Sequence, residues 1–168
     1  MSEIKNVLFL CTGNSARSVL GEVLMNELGK GRFRAYSAGS KPTGTPNPFA
    51  IELLNGLAYD TSYVRSKSWD EFSGDDAPAM DYVITVCAAA AGETCPYWPG
   101  APVSAHWGIP DPAGAGETDE ENREAFRVAH RRMKERIEAF LALPLEEMNL
   151  QEQKTALARI GAESEGAA

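Results

Sequence analysis

The chain has no long hydrophobic run and little of what marks a secreted, membrane-bound or nucleic-acid-binding protein. Its first apolar stretch, Val7-Leu8-Phe9-Leu10, is four residues long. That is too short for a signal-peptide core or a membrane span, so a cytoplasmic location is expected. Basic residues number 16 against 24 acidic ones, for a net charge of −8, and the only basic patch is His130-Arg131-Arg132. This balance argues against a nucleic-acid partner. Histidines are only two, His106 and His130, and neither stands at metal-ligand spacing from the other or from the cysteines. No metal site is expected. Three cysteines are too few and too far apart for a framework of structural bridges, and in a reducing compartment an odd count points to reactive thiols. Aromatic residues make up 8% and hydrophobic ones 43%, as in an ordinary globular domain.

What is present is an alternation of short apolar runs with amphipathic stretches, which predicts β-α-β units and a parallel sheet. Strands are expected at residues 6–10, 33–37, 82–86 and, more weakly, 103–105. Leu20, Val23, Leu24 and Leu28 recur at helical spacing from Arg17 until Gly29 and Gly31 stop the helix. Pro46-Asn47-Pro48 opens a helix carrying Ile51, Leu54 and Leu57. Ser68 caps a brief helix at 69–72. A long helix over 120–143 places Phe126, Met133, Ile137 and Phe140 on one face. His130 shares that face and reads as a satisfied, partly buried residue, while Trp69, Trp98 and Trp107 read first as packing residues. Residues 145–160 form an extra helical tail and 162–168 a disordered end. The fold class is therefore α/β: one domain over 1–145, with a roughly four-stranded parallel sheet flanked by helices on both faces, followed by a C-terminal extension over 146–168.

Directly after the first strand stands Cys11-Thr12-Gly13-Asn14-Ser15-Ala16-Arg17-Ser18. A loop in this position turns backbone N–H groups inward, and the start of the next helix adds its positive dipole end. A tetrahedral oxyanion is held there without metal, drawn by the loop because the net charge would repel it. Arg17 can grip two of its oxygens at once. The same field favours thiolate over thiol at Cys11, so a nucleophile is aimed at the bound anion.

Cys-x5-Arg-Ser after an N-terminal strand resembles the low-molecular-weight protein tyrosine phosphatase superfamily, which holds both phosphatases and thiol-dependent arsenate reductases. The segment His106-Trp107-Gly108-Ile109-Pro110-Asp111-Pro112 resembles the family's Asp-Pro loop, which implies that Asp111 handles protons over the cradle. A carboxyl near a bound oxyanion stays protonated longer, which suits a general acid. Trp107, beside Asp111, is assigned a secondary role in shaping the pocket wall.

Cys87 ends the central strand, and Cys95 precedes Pro96 in Cys95-Pro96-Tyr97-Trp98-Pro99-Gly100. With Cys11 they resemble the three-thiol relay of thioredoxin-coupled arsenate reductases. The resemblance implies that Cys11 attacks arsenic, Cys87 attacks the Cys11 sulfur as arsenite leaves, and Cys95 then attacks Cys87. No cofactor is held tightly. The implied reductant is external, thioredoxin in preference to glutathione with glutaredoxin, and the expected partners are arsenate and that reductant, with phosphate or sulfate competing. The chain is expected to act as a monomer.

Family phosphatases carry tyrosines after the Asp-Pro pair and an aromatic wall after the second strand. Here those places read Ala113-Gly114-Ala115 and Ser40-Lys41-Pro42-Thr43-Gly44, so no ring is available to sandwich a phosphotyrosine. The segment after Cys87, often polar in the family, is Ala88-Ala89-Ala90-Ala91. In some members a potassium ion sits behind the cradle. Asn14, Glu22 and Ser37 match the positions that hold it, and Lys67 falls where those members have an aspartate, so its ammonium can take the ion's place.

Overall fold

The computed structural model describes residues 4–72, 77–86, 102–110, 112–114 and 116–166. Four strands, β1 (Lys5–Leu10), β2 (Phe33–Ala38), β3 (Tyr82–Thr85) and β4 (Val103–His106), form a sheet of order β2-β1-β3-β4. All pairings are parallel. The helices are α1 (Arg17–Leu28), α2 (Pro48–Gly56), α3 (Asp119–Leu141) and α4 (Leu150–Gly166), with 3-10 turns at Trp69–Phe72 and Leu145–Glu147. The predicted four-stranded parallel α/β architecture is the one observed.

Strand alternation divides the core. Val7 and Phe9 face the larger cluster with α1, α2 and α3, whereas Leu8 and Leu10 face a smaller one with Phe72, Met80 and Val83. Each leucine that leaves water completely contributes about 1.5–3 kcal/mol, so both faces of β1 hold it. Its neighbours on either side come from different parts of the chain, β2 after one helix and β3 after a much longer excursion. The sheet therefore changes winding direction at β1, and a ligand site belongs beyond the carboxyl ends of β1 and β3. Register sets Leu10 opposite both Ala38 and Thr85, so Cys11 and Gly39 emerge together at that edge.

Helix boundaries follow their local signals. Asn47 caps α2 by accepting the Phe49 N–H, with Pro48 in the first turn, and Thr118 caps α3 by accepting the Glu121 N–H. Ser68 Oγ accepts the Asp70 N–H at the 3-10 turn. Phe126, Met133, Ile137 and Phe140 are all buried on α3. His130 is half-buried there, and burial beside Lys134 holds its imidazole below the ordinary value. Its Nε2 has no hydrogen-bond partner among the described residues, so the expectation of a satisfied histidine is not met.

Further differences concern Leu57 and the tail. Leu57 is 40% exposed, because it falls after the last turn of α2 and the contact is made by Ala50 and Leu54. The tail is helical to Gly166, where a disordered end was expected from residue 162. Leu157 and Ile160 of α4 join the main core, and such tertiary contact is what usually stabilises a helix of this length. No helix among the described residues is long and apolar enough to cross a membrane.

Candidate active site

The residues after β1 form a loop whose carbonyls are taken up from outside. Thr12 O accepts Lys41 N–H at 2.9 Å, Gly13 O accepts Thr43 N–H at 3.0 Å and Ser66 Oγ at 3.1 Å, and Ser15 O accepts Asn47 N–H at 2.8 Å. Peptide planarity then turns the N–H groups of Gly13, Asn14 and Ala16 the opposite way. Ala16, at the N-cap of α1, offers no side-chain cap, and the first turn carries no acidic residue. The dipole end of α1 is thus left for an anion.

Cys11 begins this loop and is buried, 6% exposed. Arg17 ends it, and its Nη1 donates to the carbonyl of Ile109 at 2.9 Å. Thiol and guanidinium are therefore placed by β1 and α1, both of which bury residues in the core, while the guanidinium is also moored to the segment that leads into Asp111.

Behind the loop lies a buried polar network. Asn14 has φ +46°, a left-handed conformation that asparagine tolerates better than most residues. Its Nδ2 donates to Ser18 Oγ and Ser37 Oγ, both at 2.9 Å, and its Oδ1 accepts the Lys67 N–H at 2.9 Å. Ser37 Oγ donates to Glu22 Oε1 at 2.7 Å, and Lys67 Nζ donates to Arg65 O at 3.1 Å. Lys67 is 6% exposed and Glu22 3%, so the lysine is internal and not a solvated surface residue. Burial raises the Glu22 carboxyl above its usual range against the pull of the Lys67 ammonium and the Ser37 hydrogen bond. Burial likewise lowers the Lys67 amine against the pull of Glu22. Desolvation outweighs the mutual attraction in both groups.

The structure brings together Cys11, the loop through Ser18, Glu22, Ser37 and Lys67. Cys87, Cys95 and Asp111, with Trp98 and the run Ala88-Ala89-Ala90-Ala91, lie outside the described residues. Trp107 is not a wall residue. It is fully buried, against Phe9 and Phe140, and its Nε1 donates to Leu157 O at 3.0 Å.

Sequence reasoning missed Gly39. A Cβ there would stand 2.3 Å from Thr12 O, 2.5 Å from Cys11 O and 3.0 Å from Asn14 N. Only glycine lets β2 end against the back of the loop, where Gly39 also bridges to Ser68. The signal available was a lone glycine directly after a strand.

Comparison with known proteins adds to this geometry. The family described as low molecular weight phosphotyrosine protein phosphatase matches residues 6–156. The chain is 36% identical to the arsenate reductase of Halalkalibacterium halodurans over 136 residues, which cover 81% of this chain and 94% of that one. Among solved structures it resembles an arsenate reductase in the phosphate binding state, with a TM-score of 0.67 and 29% identity over 83% of this chain and 98% of the other. It also resembles a thioredoxin-dependent arsenate reductase of Corynebacterium glutamicum, with a TM-score of 0.57 and 28% identity over 80% of this chain and 60% of the other.

Proposed function

The chain belongs to the low-molecular-weight phosphotyrosine protein phosphatase family, and within that family we propose that it is an arsenate reductase. The observation that carries this reading is the 36% identity, across nearly the full length of the relative, to a protein named for that activity. The loop supports it by presenting a buried thiol and a moored arginine around a space suited to a tetrahedral oxyanion.

In the proposed cycle, the Cys11 thiolate attacks arsenic in bound hydrogen arsenate, and its arsenic-bound hydroxyl leaves as water after taking a proton from Asp111. Arg17 and the inward N–H groups stabilise the charge on the remaining oxygens. The Cys87 thiolate then attacks Cys11 Sγ. The electron pair of the sulfur–arsenic bond stays on arsenic, which departs as arsenite, reduced by two electrons, and a Cys11–Cys87 disulfide remains. Cys95 attacks Cys87, freeing the Cys11 thiolate, and the oxidising equivalents end in a Cys87–Cys95 disulfide. An external dithiol reduces that bond by thiol–disulfide exchange. Thioredoxin is the proposed reductant, in line with the name of one structural relative, and glutathione with glutaredoxin is the competing one.

Asn14, Glu22, Ser37 and Lys67 support the loop in this account, with the Lys67 ammonium serving as an internal cation. The same Cys11, Arg17 and Asp111 suffice for phosphoryl transfer, so a weak phosphatase activity accompanies the reduction. NADPH oxidation with arsenate, run in parallel with thioredoxin and thioredoxin reductase or with glutathione, glutaredoxin and glutathione reductase, tests the reading. Arsenate-dependent turnover with the first system and little with the second is expected; none with either overturns it.

A further inference from the structure

Two of the residues that seat α4, Leu157 and Gly161, lie past residue 156, where the family match ends. Leu157 O takes the indole N–H of Trp107 in the buried interior. Gly161, one turn later, is what permits the approach. A Cβ at that position would stand 2.3 Å from His106 O and 3.1 Å from Trp107 Cδ1, the ring atom next to the donating nitrogen. The helix is tied a second time by Gln153, whose Oε1 accepts from Tyr82 OH at 2.8 Å while its Nε2 donates to Leu145 O and Met148 O.

Trp107 is also the first residue beyond β4, and from it the chain runs towards the oxyanion loop. Its N–H donates to Thr85 O at 2.8 Å, and the Ile109 N–H donates to Val86 O at 3.2 Å. Ile109 is 4% exposed, and its carbonyl receives Arg17 Nη1 at 2.9 Å. Hydrogen bonds at each end, joined by the short backbone segment Trp107-Gly108-Ile109, thus lead from α4 to the guanidinium.

We propose that α4 is the positioning element for the oxyanion clamp: Gly161 and the Leu157 carbonyl seat Trp107, and Trp107 holds the Ile109 carbonyl where it aims Arg17. The proposal relies on the reading of Cys11 to Ser18 as an anion site, not on arsenate chemistry. Its probe is therefore inorganic phosphate, titrated calorimetrically into the full-length protein. In helices alanine is favoured over glycine, so a Gly161 that served only as a helix residue would give a neutral or stabilised Gly161→Ala variant with unchanged affinity. The proposal expects Gly161→Ala to weaken phosphate binding about tenfold, because a misaimed guanidinium loses its charge-assisted bidentate grip. Trp107→Phe, which keeps a ring and removes the donor, should do the same. The double variant should be no weaker than either single one, because both break one clamp. Lys154→Ala, on the exposed side of α4, should leave affinity unchanged.

Measurement below each variant's melting transition separates aim from folding, and Trp107→Phe carries the test if Gly161→Ala does not fold. Affinity within twofold of the parent in either folded variant overturns the proposal, as does simple additivity in the double one. A parent that binds no phosphate removes the anion-site reading and the proposal together. A parent that binds phosphate but reduces no arsenate removes only the proposed function.

Discussion

The side-chain carbonyl of Asn14 accepts the backbone N–H of Lys67 at 2.9 Å, across 53 residues of sequence. The one left-handed residue of the loop after β1 is thus locked to the segment that brings a buried ammonium beside Glu22. The shape of the loop and the charge behind it share a single anchor.

Asn14→Ala should therefore cost more than a lone hydrogen bond. The substitution removes the acceptor of the Lys67 N–H and the donor to Ser18 and Ser37, of which Ser37 keeps its bond to Glu22, and puts a Cβ residue without a local hydrogen bond at positive φ. A loss of about 3 kcal/mol is expected from these terms together. Urea unfolding of the variant checks it, and a loss below 1 kcal/mol would mean that the network does not hold the loop.

The buried pair has a definite pH signature. The raised Glu22 carboxyl favours folding most below its ordinary range, and that contribution is lost as pH rises through the raised value. The lowered Lys67 amine contributes most above its ordinary range and loses that contribution as pH falls through the lowered value. Between the two, both charges are buried, and their attraction, with the Ser37 hydrogen bond to Glu22, offsets part of the cost. Removing Lys67 takes away the largest of the interactions that favour ionised Glu22, so Lys67→Ala should lose more stability at pH 8 than at pH 5. Equal losses at the two pH values would show that the ammonium does not compensate Glu22.

Potassium tests the internal-cation role proposed for Lys67. A groove of about 430 Å³ lined by Glu22, Asn26, Tyr63, Arg65 and Lys67, among others, gives solvent a route to the pair. With the ammonium in place, exchanging potassium for sodium at fixed ionic strength should leave arsenate kinetics within twofold. Lys67→Ala should acquire potassium dependence. Strong potassium activation of the unmodified protein would contradict the role given to Lys67.

Hydrolysis separates the two chemistries of the loop. Small aryl phosphates should be cleaved slowly, with Cys87→Ser and Cys95→Ser as active as the parent and Cys11→Ser inactive. Efficient cleavage of phosphotyrosine peptides, without arsenate reduction under any reducing system, would make the protein a phosphatase.

Legibility in the sequence followed the kind of contact involved. Val7-Leu8-Phe9-Leu10 announced a doubly buried strand, and the α3 face from Phe126 to Phe140 announced its helix, because side-chain identity carries those signals. The loop was legible because cysteine, arginine and asparagine at fixed spacing have few other uses together. What stayed hidden depends on backbone atoms: Gly39 against Thr12 O, Trp107 on Leu157 O and Arg17 on Ile109 O. Every residue carries a carbonyl, so sequence cannot mark the one that is used. Leu57 fails differently, being at the right helical spacing but one residue past the helix end.

The relay is tested most directly by counting arsenite from the first turnover. In Cys95→Ser, Cys11 still forms the arsenic adduct and Cys87 still resolves it, so rapid quench should find about one arsenite per protein and a trapped Cys11–Cys87 disulfide by peptide mapping. In Cys87→Ser no arsenite should appear. Steady multiple turnover by Cys95→Ser with thioredoxin as sole reductant would contradict the three-thiol account and leave reduction to an external thiol acting on Cys11.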